Sequence, residues 1–273
     1  MITLSKEAFE KYVPAFRDAE TRIFEAVLPY MQQYLDKARN VIKIPEDYAG
    51  DALVEAYVYR QAAWQALPHL DLVLTDNGFA VVSNNNLAPA SRDRVAALQE
   101  RLREEKADAR DLLLMDLCRN TAWRDTEACR RLRSSLLWCP MLLRRYGVTA
   151  ADGRQVFERE YNALLPQVLA AGEEAARIVS REQMQWLLEH QDECDEDGEP
   201  DLRSVVREMC RRFMAAVIAD RKPAVRTLAA QIQDFLNRHA DDLPEYAASS
   251  KFQADNFKPY ENKKSAPAFL FNA

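Results

Sequence analysis

The sequence predicts a mainly α-helical protein, a multi-helix bundle interrupted by one small β-hairpin. Only six glycines occur in 273 residues, and glycine costs about 1 kcal/mol relative to alanine inside a helix. Apolar residues recur at the three- and four-residue spacing of amphipathic helices through most of the chain. Residues 70–91 differ, because two short apolar runs flank Asp76-Asn77-Gly78 there. That pattern is typical of a hairpin.

Capping residues and prolines divide the first half of the chain into helices. Ser5 is a good N-cap for a short first helix, and Pro29 should kink or divide the second. An aromatic helix that contains Tyr57 and Trp64 precedes the hairpin, and a long helix opens near 89–91 after it. The aromatic residues recur at helical spacing, which indicates a central helix.

The second half of the chain shows similar signals. One helix is expected from about Thr126 through Leu137, ahead of a proline-induced kink. The pattern Thr149-x-x-Asp152 resembles a capping box that would open the next helix, and Ser180-x-x-Gln183 resembles a second one.

A helix end at Gly147 suggests a division of the chain. We expect an N-terminal helical region with the hairpin at 1–147 and a C-terminal helical region at 148–246, or one continuous domain. Residues 247–273 are polar and contain two prolines, so an extended C-terminal arm is expected there. The end of this arm could add a third strand, since an isolated two-stranded hairpin is marginally stable.

The hairpin covers about residues 70–83, and two registers fit it. With Asn77-Gly78 as the turn, the facing pairs are Leu74 with Val81 and Val73 with Val82; with Asp76-Asn77, they are Leu74 with Phe79 and Leu72 with Val81. Both registers leave apolar residues on both faces, whereas a solvent-facing hairpin alternates with polar ones.

The hairpin and the arm are therefore predicted to be assembly elements. The expected interface residues are Leu72, Leu74, Asn77, Gly78, Phe79 and Val81 of the hairpin and Phe269, Leu270 and Phe271 of the arm.

Charge and cysteine usage exclude several classes of protein. The net charge of −6 gives no general attraction to nucleic acid or to an anionic lipid surface. The five cysteines are widely spaced and lack a C-x-x-C pair, which argues against a disulfide framework or a zinc knuckle. No signal peptide and no membrane-length apolar run is visible, so a cytoplasmic location is expected.

No catalytic, cofactor or metal motif is recognisable, and a non-enzymatic protein without cofactor is expected. The acidic run 193–201 partly follows a calcium-binding loop, but Ser204 occupies the position of the last acidic ligand. A solvated linker is the preferred interpretation, and cation binding stays open. His69, His190 and His239 show no metal-binding spacing and are interpreted as structural or surface residues.

Arginine clusters and an aromatic stripe each allow two interpretations. The clusters are Arg130-Arg131-Arg133, Arg144-Arg145 and Arg207-Arg211-Arg212. Pairing with the chain's own carboxylates is commoner than binding to phosphate, so DNA contact stays uncertain. Tyr57, Tyr59 and Trp64 are expected in the core or a subunit interface rather than in a stacking platform. Residues 101–111 are expected to be a solvated face of the long helix.

Two segments resemble a family of virion structural proteins encoded by phages and prophages of gut Bacteroidetes. The first is LVLTDNGFAVVSNNNLAPASRDRVAAL at 72–98, and the second is Tyr260–Ser265 followed by Phe269–Phe271. The resemblance implies a head–tail adaptor or connector, a role in which many copies form a ring beneath the portal. It implies no catalytic residue.

The main hypothesis is therefore a phage or prophage structural protein. It would act as a homo-oligomeric ring that docks to portal and tail-completion proteins, first in the host cytoplasm and then in the virion. The alternative is a cytoplasmic helical binding or regulatory module, possibly one that associates with nucleic acid through its arginine clusters.

Overall fold

Amphipathic helices form most of the described chain. The computed structural model describes residues 2–17, 21–70, 92–191 and 201–257, together with the backbone of two strands at 72–75 and 78–81. The helices of the first half are α1 (Lys6–Tyr12), α2 (Thr21–Lys37), α3 (Asp51–Ala66), α4 (Arg92–Leu117), α5 (Thr121–Arg124), α6 (Glu127–Leu132) and α7 (Pro140–Arg145). Those of the second half are α8 (Glu158–Val179), α9 (Arg181–Glu189), α10 (Leu202–Ile218), α11 (Lys222–Arg238), α12 (Pro244–Ala247) and α13 (Ser250–Asp255). The mainly helical class is thus confirmed.

The first helix begins where the capping residue predicts. The Ala8 N–H donates a 3.2 Å hydrogen bond to the Ser5 hydroxyl, which satisfies one of the free amides of the first turn. A short 3-10 turn at Pro14–Phe16 follows α1.

Pro29 does not divide α2, which continues from Thr21 to Lys37. The expected division is wrong, because this helix continues past Pro29 and packs against α3. The buried residues of that face are Ile23, Val27, Met31 and Leu35. This packing outweighs the one backbone hydrogen bond that a proline removes. The helix instead ends in a π-helical turn, Ala38–Ile42, before Lys43 at a φ of 58°.

The central helix is α3, which packs on both α2 and α4. Its buried residues include Val54, Tyr57, Val58 and Tyr59. A helix that is apolar on most of its circumference is one that neighbouring helices enclose. The prediction of a central aromatic helix is confirmed.

Two strands lie between α3 and α4. The strands β1 (Leu72–Thr75) and β2 (Gly78–Val81) pair antiparallel, with Leu72 opposite Val81 and Leu74 opposite Phe79. Of the two registers that fit the sequence, the one with Asp76-Asn77 between the strands has these pairs, and the hairpin over 70–83 stays a prediction. The backbone of β2 lies against the turn Pro14–Phe16. The predicted hairpin covers 70–83. Of its residues outside the two strands, only Leu70 belongs to the described part of the chain.

The chain between α6 and α8 departs from its sequence pattern. The helix that was expected to reach Leu137 stops at Leu132, because the Ser135 hydroxyl accepts a hydrogen bond from the Leu137 N–H at 3.2 Å. Such local bonds compete with helix formation. The following residues 136–139 are all buried, so this non-helical segment belongs to the core.

The expected capping box at Thr149-x-x-Asp152 does not form. Thr149 instead pairs with Gln155 in an isolated β-bridge, around a turn in which Gly153 has a φ of 79°. The next helix, α8, begins only at Glu158. The other proposed cap does form, since the Ser180 hydroxyl accepts the Gln183 N–H at 3.1 Å at the start of α9.

The core is continuous across the predicted division of the chain. Gly147 ends α7 with a φ of 69°, as expected of a residue that follows a helix. Nevertheless, buried side chains from Phe9 to Tyr246 form one hydrophobic cluster. The division near Gly147 and the single continuous domain both stay predictions.

The arm begins later than predicted. Residues 244–255 are mostly helical, in α12 and α13, because the buried Ser249 caps α13 by accepting the Phe252 N–H at 3.1 Å. The start at 247 is therefore wrong. The rest of the arm, with Phe269, Leu270, Phe271 and the suggested third strand, lies outside the described residues. Among the described helices, none has the combination of length and apolar character that a membrane crossing requires.

Candidate binding groove and the predicted interface

The predicted interface residues fall on two parts of the chain. Leu72 and Leu74 lie in β1, and Gly78, Phe79 and Val81 lie in β2. By its register, the pairing puts the four large apolar residues of this set on one face of the two-stranded sheet. Their side chains, Asn77 and residues 269–271 lie outside the described part, so the interface stays a prediction.

The histidines lie apart, and each contacts an aromatic ring. The pairs are His69 with Tyr30, His190 with Trp186 and His239 with Phe235. These contacts agree with the structural interpretation. In the described ranges no group of three or more His, Cys, Asp or Glu side chains could hold a metal ion. The acidic residues 192–200 lie outside those ranges, so cation binding by that run stays untested.

Four cysteines have buried thiols, namely Cys118, Cys129, Cys139 and Cys210. Burial raises the pKa of Cys139 and of Cys210 to about 12. These two thiols are therefore protonated at neutral pH and lack the thiolate that reacts with electrophiles.

Most arginines of the three clusters bind the chain's own polar groups. Arg144 pairs with the Asp108 carboxylate and donates to the Val156 carbonyl at 2.8 Å. Arg211 donates to the Leu136 carbonyl at 3.2 Å. The other such pairs are Arg130 with the Asp125 carbonyl, Arg131 with Glu127, Arg207 with the Gln191 carbonyl and Arg212 with Glu208. The expected pairing with carboxylates is confirmed for Arg131, Arg144 and Arg212, whereas Arg130, Arg207 and Arg211 bind backbone carbonyls.

The aromatic stripe of α3 divides into two parts. Tyr57 and Tyr59 are buried in the core, and the Tyr59 hydroxyl accepts the Ser5 N–H at 3.0 Å. Trp64 is only partly buried and lines a groove. The core interpretation therefore holds for the tyrosines, whereas Trp64 contributes to a surface site.

The groove lies between α3, α4, the start of α7 and the start of α8, and its volume is about 580 Å³. Its charged lining residues are Arg103, Lys106, Arg110, Asp111, Arg154, Glu158, Arg159 and Glu160. Residues 101–111 of α4 supply four of these. The expectation of a fully solvated face on 101–111 is therefore wrong, since α4 presents this segment to α3 and to the start of α8.

Lys106 is the cation nearest to Trp64. Its Nζ lies 3.9 Å from the centroid of the indole ring, a cation–π contact. Burial lowers the pKa of Lys106, and the neighbouring Arg103 and Arg110 also lower it, while Glu158 raises it. In the described part of the chain, Lys106 forms no ion pair.

Arg110 and Arg103 differ in how their charges are compensated. Arg103 donates two hydrogen bonds to Glu160, at 3.0 and 3.2 Å. Arg110 lies 3.8 Å from Asp111 Oδ1 and 3.5 Å from Glu158 Oε1, and neither contact is a hydrogen bond. Arg103 is thus hydrogen-bonded to the Glu160 carboxylate, whereas Arg110 forms longer ion pairs with two carboxylates.

Asp111 is the most buried charged residue of the groove, at 1% exposed. Its Oδ2 accepts the Met141 N–H at 2.9 Å, while its Oδ1 accepts no hydrogen bond from the residues that the structure describes. Burial raises the pKa of Asp111 to about 6, although that hydrogen bond and the charges of Arg110 and Arg144 lower it. The indole Nε1 of Trp64 also has no hydrogen-bond partner among the described residues, and buried polar atoms of this kind are uncommon.

The sequence contains little signal for this groove. Lys106 and Asp111 look like ordinary charges of an Arg- and Glu-rich helix. Asp111 and Leu114 are three positions apart and so lie on the same face of α4, and both are buried. Helical spacing is thus the one signal that could have indicated the burial of Asp111. The residues of α8 that close the groove are about fifty positions away, and only the fold brings them together.

One family model matches part of the chain. Residues 29–133 match a family of unknown function, DUF6712. The matched segment runs from within α2 to the residue after α6 and includes Trp64, Lys106 and Asp111, but it covers less than half of the chain. Neither the search of curated proteins nor that of solved structures found a match.

Proposed function

We propose that this chain is a non-enzymatic structural protein of a phage or prophage. It acts as a head–tail adaptor, forms a homo-oligomeric ring, and docks to portal or tail-completion proteins. The resemblance of residues 72–98 and of the end of the chain to virion structural proteins supports this role. The mainly helical body is compatible with it, because helical subunits pack side by side in a ring.

The hairpin is the observation that carries the proposal. In the register of β1 and β2, Leu72, Leu74, Phe79 and Val81 share one face. An apolar face of this kind on a two-stranded sheet needs cover, and its strand edges present unpaired backbone groups. A neighbouring subunit supplies both when identical copies contact each other head to tail, since such contacts close into rings.

Oligomeric state tests the proposal directly. Native mass spectrometry and electron microscopy should reveal a ring, either of the protein alone or of the protein mixed with its portal protein. The variants Leu74→Asp and Phe79→Asp should abolish ring formation. Leu112→Asp is the matched control, because Leu112 is an apolar side chain of α4 that is already 45% exposed. A wild-type protein that stays monomeric and does not bind the portal would contradict the proposal.

The alternative, a cytoplasmic binding module that contacts nucleic acid, has weaker support. The arginines on which it depends mostly bind carboxylates and carbonyls of the chain itself. DNA binding that weakens steeply with salt at physiological ionic strength would favour this alternative. Absence of binding at low salt would eliminate it.

A further inference from the structure

One residue separates two helices at the junction of α8 and α9. The helix α8 ends at Val179 and α9 begins at Arg181, so only Ser180 lies between them. Ser180 has a φ of 86° and a ψ of 158°, a combination that is common only for glycine. A side chain in this conformation costs the equivalent of roughly 5- to 150-fold in an equilibrium constant. The junction is therefore a strained point of the backbone.

A second unfavourable group lies three residues after Ser180. The side-chain amide of Gln183 is fully buried, and neither its Nε2 nor its Oε1 has a hydrogen-bond partner among the described residues. Native proteins satisfy most buried polar atoms, and leaving such atoms unpaired is destabilising. Ser180 and Gln183 thus both raise the free energy of the fold within one helical turn of the same junction, where a rearrangement would change the surroundings of both.

The local sequence does not require a break at this junction. Residues 173–189, EEAARIVSREQMQWLLE, contain neither glycine nor proline and consist largely of good helix formers. If Ser180 took helical φ and ψ angles, α8 and α9 would join into one helix from Glu158 to Glu189. That conformation would remove the strain at Ser180, but it would also carry α9 away from the position that it holds in the fold.

Straightening the junction within a single chain would break many contacts of α9. This helix packs on α8 and α12, and it buries Met184 and Leu187. Gln191, just after α9, donates to the Arg133 carbonyl at 3.3 Å and to the Ser135 carbonyl at 3.2 Å. An exchange between two chains keeps these contacts, because each is formed again with the second copy and only the junction changes.

We propose that the α8–α9 junction is the hinge of a domain-swapped dimer with a second copy of this chain. The exchanged unit is α9–α13, which has contacts of its own between α9 and α12 and between α10 and α11. In the dimer this unit packs on α8 of the other chain through α10 and α11, the helices that contact α8 in the monomer. Short strained hinges favour such an exchange, since each dimer relieves the strain of two. The exchange does not involve the hairpin and is independent of the adaptor role.

A cross-link between two neighbouring side chains tests the exchange in the full-length protein. Glu173 of α8 and Lys251 of α13 line one small cavity, so a carbodiimide should join them by an amide bond. Equal amounts of ¹⁴N- and ¹⁵N-labelled protein are unfolded in urea, refolded together at about 100 µM and cross-linked. We expect a dimer by light scattering, and about half of its Glu173–Lys251 links should join peptides of different isotopes. Absence of a dimer, or a dimer whose links join only peptides of the same isotope, would overturn the proposal.

Substitutions of Ser180 should change the dissociation constant of the dimer in opposite directions. Glycine adopts a φ of 86° without strain, so Ser180→Gly should raise this constant at least about tenfold. Alanine favours the helical conformation and removes the cap on the Gln183 N–H, so Ser180→Ala should lower the constant at least about tenfold. Ser5→Gly is the matched control, because Ser5 also caps a helix but has an ordinary φ of −134°. Equal dissociation constants for wild type and both Ser180 variants would refute the hinge.

The Leu74→Asp substitution separates this dimer from a ring formed through the hairpin. Both measurements are made on the wild-type protein and again with Leu74→Asp present, since that substitution should abolish ring formation. A dimer with mixed-isotope links in the Leu74→Asp protein supports the exchange even if the adaptor role fails. A wild-type ring whose links join only peptides of the same isotope supports the adaptor role and contradicts the exchange.

Discussion

The hydroxyl of Tyr48 donates a 2.6 Å hydrogen bond to Oδ2 of Asp116. It ties the segment before α3 to the last turn of α4, across 68 positions of sequence. Burial raises the pKa of Tyr48, and the Asp116 carboxylate raises it further, so the hydroxyl keeps its proton throughout the neutral range. The bond to a charged acceptor is therefore present wherever the protein is folded at neutral pH.

Removing this hydroxyl should destabilise the fold. Tyr48→Phe leaves Asp116 without its partner, and we expect the free energy of unfolding to fall by about 1.5–3 kcal/mol, as for other hydrogen bonds to charged groups. Urea denaturation measures the change. Tyr30→Phe is the control, because the Tyr30 ring stacks on His69 and its hydroxyl forms no hydrogen bond in the described structure. An equal loss in both variants would contradict the role of the Tyr48 bond.

The buried carboxyl of Asp111 should make stability depend on pH. Its pKa is raised from 3.8 to about 6 in the folded protein, so the folded state holds the proton more tightly than the unfolded chain does. Ionised Asp111 therefore destabilises the fold above pH 6, by roughly 2–3 kcal/mol. This cost decreases as the pH falls through 6 and has vanished below about 4, the pKa of an unfolded aspartate.

The variant Asp111→Asn isolates that effect. Its free energy of unfolding relative to wild type should be higher at pH 7.5 than at pH 4.5, since asparagine keeps an acceptor for the Met141 N–H without the charge. Urea denaturation at both pH values measures the difference. If the variant loses stability relative to wild type as the pH rises, the carboxylate is stabilised as an ion and the pKa assignment is wrong.

Two glycines should respond in opposite ways to alanine. Gly147 has a φ of 69°, where a side chain costs about 1–2 kcal/mol, so Gly147→Ala should lower the free energy of unfolding by about that amount. Gly172 lies inside α8, and a Cβ there would meet Met214 Cε at an ordinary 3.7 Å. Gly172→Ala should therefore stabilise the protein by up to about 1 kcal/mol. Guanidinium denaturation of the pair checks both signs.

The buried thiols should be inert in the folded protein. In a Cys194→Ser variant, the remaining cysteines are the four buried ones. We expect no reaction with a colorimetric disulfide reagent at pH 8 until denaturant is added, because Cys139 and Cys210 have pKa values of about 12 and reaction requires an accessible thiolate. Fast labelling of the native variant would show that at least one of these thiols is exposed or ionised.

Local signals predicted the helices well where one face of the helix faces the core and a cap marks its start. The Ser5 and Ser180 caps are examples, since each acts within its own first turn. The same signals failed at Pro29, where packing on α3 preserves the helix, and at Thr149, where a turn replaces it. At Pro29 packing against another helix outweighs the local preference, and at Thr149 the competing contacts lie within the turn itself, between Thr149 and Gln155.

The groove could not be predicted in the same way. Lys106 and Asp111 carry charges that normally lie in water, so a helix rich in Arg and Glu predicts a solvated face for both. Their burial arises from α3 on one side and the start of α8 on the other. The environment of these charged groups is set by residues that are distant in sequence.

By itself the sequence determined the mainly helical class and the central aromatic helix, because helical periodicity and caps act over a few positions. It left two registers open for the 72–81 strands. Only the tertiary structure decided that the two halves share one core, that residues 136–139 are buried without being helical, and that Lys106 lies over Trp64. These features depend on which surfaces meet in the folded chain. Burial and the pairing of charges depend on this packing between distant segments, and no local sequence pattern encodes them.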